Sequence, residues 1–324
     1  MSVRAYKAFD KTMQCRGFQF EVGQTYEHDG KVVACESGFH ACENPFDVWS
    51  YYPLDSRYAV VDLSGEVSRH GSDSKIAAAR ITISAEISLP QIISDGISHL
   101  IGLCENAFAL KPDAAASGYR SQLAASGDGS QLAASGNDSQ LAASGYRSQL
   151  AASGNDSQLA ASGDGSQLAA SGYGSQLAAS GDGSQLAASG YRSQLAASGY
   201  GSKLAASGYR SQLAASGYGS KLAASGYGSK LAASGYGSQL AASGNDSKLA
   251  ASGYGSKLAA SGNDSVCMAG CGAAVRAGEG GAIAITYHDG TRYRIAVAYV
   301  GEGGIEPHVD YRVTDSGEFI KALG

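Results

Sequence analysis

Apolar and polar positions alternate with a fixed period through the middle of this chain. From Ser121 to Gly262 the unit S-x-L-A-A-S-G plus two variable residues recurs every nine residues, sixteen times without an insertion, its leucines running from Leu123 to Leu258. In an extended strand, Ser, Leu and the second Ala fall on one face, and Gln or Lys, the first Ala and the last Ser on the other. The Gly and the pair after it (Tyr-Arg, Tyr-Gly, Asp-Gly or Asn-Asp) carry turn chemistry. Glycine at every repeat excludes a long helix. One unit is therefore a strand and a turn. Nine residues cannot enclose a core, but two units can close a coil with facing strands. The pattern predicts a parallel β-solenoid of about eight coils, stacked about 4.8 Å apart. Leu and Ala pack across it, Ser bonds in a ladder, and stability comes from stacking.

The periodicity changes at both ends, which predicts caps over the end coils. Ser74–Ala79 reads as a degenerate copy of the repeat, and the apolar spacing from Ile92 to Leu103 predicts a helix over about 90–106. After the array, the sequence predicts a strand at 281–288 and a hairpin turning at Asp289-Gly290. The expected fold is mainly β: residues 1–110 an α+β capping domain, 111–272 the solenoid, and 273–324 a small β-hairpin cap.

Charge is graded along the array. Residues 119–190 hold two Arg against five Asp, net −3; residues 191–265 hold two Arg and five Lys against two Asp, net +5. Sorting units by alternate coil edges predicts two Tyr ladders. Tyr173, Tyr191, Tyr209 and Tyr227 lie on one, and Tyr200, Tyr218, Tyr236 and Tyr254 on the other. With Lys203, Lys221, Lys230, Lys248, Lys257, Arg192 and Arg210 they make the candidate binding surface, set against the simpler reading of a solvated rod. An acidic protein surface is the expected partner ahead of nucleic acid, and the end domains are expected to support homo-oligomers.

Chemistry is sparse. Cys15, Cys35, His40 and Cys42 could be offered to a metal, but C-x4-H-x-C is no standard finger spacing, so core thiols are expected. Cys267 and Cys271 read as cap thiols. No phosphate-binding loop or nucleophile elbow appears, so no catalytic residue, metal or cofactor is expected. The first residues show no apolar h-region and no stretch approaches 18 apolar residues, so neither secretion nor membrane spanning is expected, and six Cys in a long chain fit a reducing cytoplasm.

The segments R-A-Y-K-A-F-D, C-R-G-F-Q-F-E-V-G-Q-T-Y-E, S-G-F-H-A-C-E-N-P and Y-A-V-V-D-L-S-G-E-V, with Y-V-G-E-G-G-I-E-P-H-V-D-Y-R-V near the C-terminus, resemble uncharacterised phage and prophage proteins. In that family a small N-terminal domain precedes an Ala/Ser/Gly nonapeptide array. The resemblance implies a non-enzymatic binding or scaffold protein in a bacterial host cell, engaging or sequestering a host or defence factor. The G-Y-G-S units are similar to ice-nucleation repeats, which implies ice or surface binding, but the period of nine and the missing T-x-T strand motif depart from them. The N-terminal segments are loosely similar to ADP-ribosyltransferase folds, for which His40, Tyr52 and Glu66 could be offered.

Overall fold

The computed structural model describes residues 2–69, 74–109 and 114–322, without the side chains of 100–109 and 114. The chain forms two compact units, Met1–His99 and Leu100–Gly324.

The second unit is the predicted solenoid. Each four-residue strand pairs in parallel with the strand 18 residues on, Gln149 with Gln167 and Leu150 with Leu168, while Gln140 pairs with Gln158 in the other sheet. One sheet holds the strands that begin at Ala114, Gln131, Gln149 and so on to Ala274; the other begins at Gln122 and runs to Ala282. Ten strands lie in each parallel run, two coils more than the strict repeat predicts. The four extra strands are the degenerate flanks Ala114–Ala116, Val266–Ala269, Ala274–Arg276 and Ala282–His288, where strand geometry persists without the motif.

Leu and the second Ala of each unit fill the core, as the alternation predicts: Leu150, Leu168 and Leu186 are fully buried. The buried Ser does not form a ladder between coils. Ser148 Oγ donates to the Gly145 carbonyl at 2.8 Å, and Ser175 Oγ to that of Gly172 at 2.9 Å, so the hydroxyl ties down its own turn. The reason is proximity: the glycine carbonyl lies three residues back, in the reach of an ST-type turn. Coils are joined by backbone bonds, such as Gln149 N to Ser130 O (2.8 Å).

Two backbone positions make the turn. A Cβ on Gly190 would sit 1.8 Å from the Gly172 carbonyl oxygen, and one on Gly208 1.9 Å from that of Gly190. The repeat glycine is thus fixed by contact between coils. Two residues later the backbone is left-handed, at φ +64° in Gly201 and φ +59° in Arg192.

The first unit is a small antiparallel barrel. Val3–Phe9 pairs with Arg57–Arg69 and with Phe39–Cys42; Lys75–Ile87 pairs with both of those partners, which closes the ring, and with Thr25–Glu27. Ala5, Phe9, Val61, Leu63, Ile76, Ile81 and Ile83 fill it. Outside the barrel lie a 3-10 turn at Pro45–Ser50, carrying the buried Trp49, and the helix Leu89–Ala109, three residues longer than expected at its C-terminal end. Gly96 lets this helix meet Phe46, whose ring would lie 2.4 Å from an added Cβ. Ser74–Ala79, the degenerate copy of the repeat, leads into the 13-residue strand Lys75–Ile87. Its run K-I-A-A-A-R-I-T-I-S continues extended without the Gly that turns each solenoid unit, so it crosses the barrel.

At the C-terminal end, Ala282–His288 and Tyr293–Tyr299 form the predicted hairpin, and Tyr311–Val313 and Phe319–Lys321 extend the other sheet. Ile283, Ile285, Ile305 and Tyr311 continue the solenoid core into this module.

Candidate binding edge

The variable pair of each unit sits on one of two coil edges, alternating along the chain. On the first edge the sequence runs Asn137, Asn155, Tyr173, Tyr191, Tyr209, Tyr227, Asn245 and Asn263 at successive coils. At Asn and Asp positions the side chain bonds the next coil. Asn137 Oδ1 accepts from Asn155 N and Asn155 Oδ1 from Tyr173 N, both at 2.9 Å. Where Tyr takes over, aromatic stacking replaces these bonds. Ring centroids are 5.2 Å apart for Tyr173–Tyr191, 6.2 Å for Tyr191–Tyr209 and 6.1 Å for Tyr209–Tyr227. Such pairs contribute about 0.5–1.5 kcal/mol each beyond burial. The ladder ends at Asp246, whose hydrogen bond to the Tyr227 hydroxyl raises the phenol's pKa.

The second edge carries Tyr200, Tyr218, Tyr236 and Tyr254. Tyr218–Tyr236 and Tyr236–Tyr254 stack at 6.1 and 5.7 Å. Tyr200 N instead donates to Asp182 Oδ1 at 2.7 Å, where the polar ladder hands over.

Arg192 and Arg210 stand beside the first ladder, both left-handed, at φ +59° and +55°. Gly holds the same turn position at Gly174 and Gly228 on the same edge. The Arg192 guanidinium carbon lies 5.3 Å from the Tyr191 ring centre, a cation–π contact.

The five lysines do not form one patch. Lys230 and Lys248 lie on the outer face of the Gln122–Ala282 sheet and are exposed. Lys203, Lys221 and Lys257 lie on the other sheet. Lys203 is buried and Lys221 half-buried, and burial together with the Lys203 charge lowers the Lys221 pKa to about 8. Lys257 pairs loosely with the buried Asp310 (3.8 Å), which Arg276 approaches at 3.7 Å. The expected basic surface is corrected accordingly. Positions that differ by nine alternate between sheets, so the +5 charge is divided. The exposed part, Arg192, Arg210, Lys230 and Lys248, flanks the first Tyr edge, because that edge leads directly into the Gln122–Ala282 sheet.

The N-terminal unit brings together a group that includes Cys15, His40 and Tyr52. Lys7 alternates with Ala5 and Phe9 and so points into the barrel, buried. Its Nζ donates to the His40 carbonyl at 2.9 Å and approaches the Tyr52 hydroxyl at 3.5 Å; Tyr52 in turn lies 3.0 Å from Cys15 Sγ. Burial lowers the Lys7 pKa and raises that of Tyr52. His40 Nε2 accepts from Cys35 N (2.9 Å), and burial lowers its pKa. Glu66 is exposed beside the register shift of its strand and is not joined to this group by a hydrogen bond or ion pair. Lys7 was not legible in the sequence, because R-A-Y-K-A-F mixes polar and apolar residues on both faces of its strand. Cys42 and Cys267 are buried, Cys15 and Cys271 half-buried, and Cys35 exposed; burial raises the Cys267 thiol to about 12. Among the described residues no three His, Cys, Asp or Glu side chains are grouped to hold a metal ion, and no helix is long and apolar enough to cross a membrane.

No curated protein and no solved structure matches the chain. Residues 3–95, which are the barrel and the start of its helix, match the family described as a domain of unknown function, DUF7666.

Proposed function

We propose that this chain is a non-enzymatic binding or scaffold protein of phage or prophage type that engages a host or defence factor in the bacterial cytoplasm. The contact is the first Tyr edge with Arg192, Arg210, Lys230 and Lys248. The observation that carries this reading is that Arg192 and Arg210, two of the four left-handed arginines of the array turns, stand beside the stacked Tyr ladder. A non-glycine residue there costs roughly 1–2 kcal/mol, and glycine fits the same turn in neighbouring coils. Side chains kept against a backbone cost are candidates for function. Rigid stacked Tyr rings supply contact area at low entropic cost, and Tyr and Arg are the residues that anchor interfaces. An acidic protein surface suits the basic rim. Extended nucleic acid suits it less, because Asp156 and Asp246 bracket the ladder on its own edge.

Affinity capture from a bacterial lysate with the full chain tests this. The Arg192→Gly/Arg210→Gly variant relieves the turn and should melt no lower than wild type while losing the captured partner. Undiminished capture would move the contact elsewhere. A second reading, adsorption to ice or another flat surface, is favoured by the open face of the Gln122–Ala282 sheet, where Gln, Ala and Ser rows such as Ala142, Ala160 and Ala178 stay exposed in a regular lattice. Thermal hysteresis of ice growth would distinguish it.

A further inference from the structure

Among the described residues, the outermost strand of the C-terminal module is an open edge. Tyr293–Tyr299 ends the eleven-stranded sheet, next to Ala282–His288. Two bonds fix the phase of that pairing: Asp289 N donates to Arg292 O at 3.1 Å, and Val300 N to Gly281 O at 2.9 Å. Hydrogen-bonded residues alternate along an antiparallel pair. Stepping by two between those bonds, Arg294, Ala296 and Ala298 bond inward to the hairpin partner. Tyr293, Ile295, Val297 and Tyr299 therefore turn their N–H and C=O groups to the free edge. The side chains of the same four residues are 71%, 62%, 55% and 56% exposed. On the same outer face, Val266 and Met268 stand where the repeat has Gln or Lys and Ala. The surface turns apolar where the array ends. An unpaired apolar edge without Pro or Lys is a template for another strand.

The sequence of this edge is nearly the same in both directions. Y-R-I-A-V-A-Y reads about Ala296 with Tyr293 matching Tyr299 and Ile295 matching Val297. A second copy on a two-fold axis at Ala296 would set Tyr293 against Tyr299 and Ile295 against Val297. Each would be a hydrogen-bonded pair, which is the phase in which the free groups point. Arg294 would face Ala298, and its guanidinium is already held by Asp289 of its own turn. No like charges meet, and the contact closes on itself as an isologous interface does.

We propose that Tyr293–Tyr299 pairs antiparallel with the same strand of a second copy, joining two chains through their C-terminal modules. The pairing uses none of the residues of the Tyr edge, so it stands or falls separately from target binding.

Sedimentation of the full chain tests it. The wild-type protein should be a dimer at about 50 µM. Ile295→Lys sets a charge against Val297 of the other copy. Val297→Pro removes an N–H aimed at the free edge. Both should shift the protein to monomer, raising the dimer dissociation constant at least about tenfold, with unchanged circular dichroism and unchanged capture through the Tyr edge. If Val297→Pro does not fold, Ile295→Lys decides, because its side chain is exposed. Ala296→Cys lies on the axis, where Cβ atoms of facing residues are about 4.5–5.5 Å apart; mild oxidation should link it to itself. A monomeric wild type, a dimer indifferent to Ile295→Lys, or oxidised dimers linked only through native cysteines would overturn the proposal.

Discussion

At the scale of single residues, two positions of the nonapeptide answer to different physics. The repeat glycine is fixed by a carbonyl of the preceding coil, so Gly208→Ala must push two coils apart. Overpacking of this kind costs about 1–3 kcal/mol or more; thermal unfolding should show a clear loss. A Cβ on Gly201, two residues past its own repeat glycine, meets nothing within 4 Å, and Asn tolerates its left-handed backbone. Gly201→Asn should therefore leave the melting temperature within a degree or two of wild type. Equal losses at both sites would contradict the assignment of roles. Lys221 supplies a pH test. Its pKa falls from 10.5 in the unfolded chain to about 8 when folded. Between these values the unfolded state binds more protons, so stability rises as pH climbs from about 8 to 10.5 and the cost of the buried charge is present in full below pH 8. Lys221→Gln should raise stability at pH 7 by about 1–3 kcal/mol and flatten that rise. A rise of unchanged slope in the variant would assign it to other groups.

At the scale of elements, strand, turn and inward Leu were legible because period-2 alternation and a strict nine-residue repeat constrain the same residues. The edge identity of each Tyr was legible too, by the parity of its unit. The same parity separates Lys203, Lys221 and Lys257 from Lys230 and Lys248, since positions 18 apart share a sheet. Charge summed over a segment hides that division. The ends were harder to read. Lys75–Ala79 matches the repeat in composition, but without a Gly to turn the chain it extends into a 13-residue barrel strand. Barrel closure depends on pairings between strands far apart in sequence, such as Val3 with Leu63, which local periodicity does not encode. The C-terminal hairpin was legible from its turn signal, and its module carries Ile283, Ile285 and Tyr311 into the solenoid core. Deleting residues 273–324 removes these and bares the Cys267 coil. The truncated protein should aggregate, as followed by light scattering; a soluble monomer would show that the last coil needs no cover.

At the scale of the whole molecule, the array presents many near-identical rungs and varies only what decorates them. Asn and Asp bonds predominate in the first half of each edge, with Tyr119 and Tyr146 among them, and Tyr stacks most of the second, with backbone ladders unchanged beneath. Such a frame permits exchange of the decorating residues without refolding. The central claim is that one edge, Tyr173 to Tyr227 with Arg192 and Arg210, makes the contact. Site-specific photo-crosslinking in bacterial cells tests it most directly, with a benzophenone amino acid at Tyr191 or, on the opposite edge, at Tyr236. The account predicts a discrete adduct from position 191 that fades when Arg192 and Arg210 become glycine, and none from position 236. Adducts from position 236 alone, or from neither site while the partner is still captured by the full chain, would contradict it.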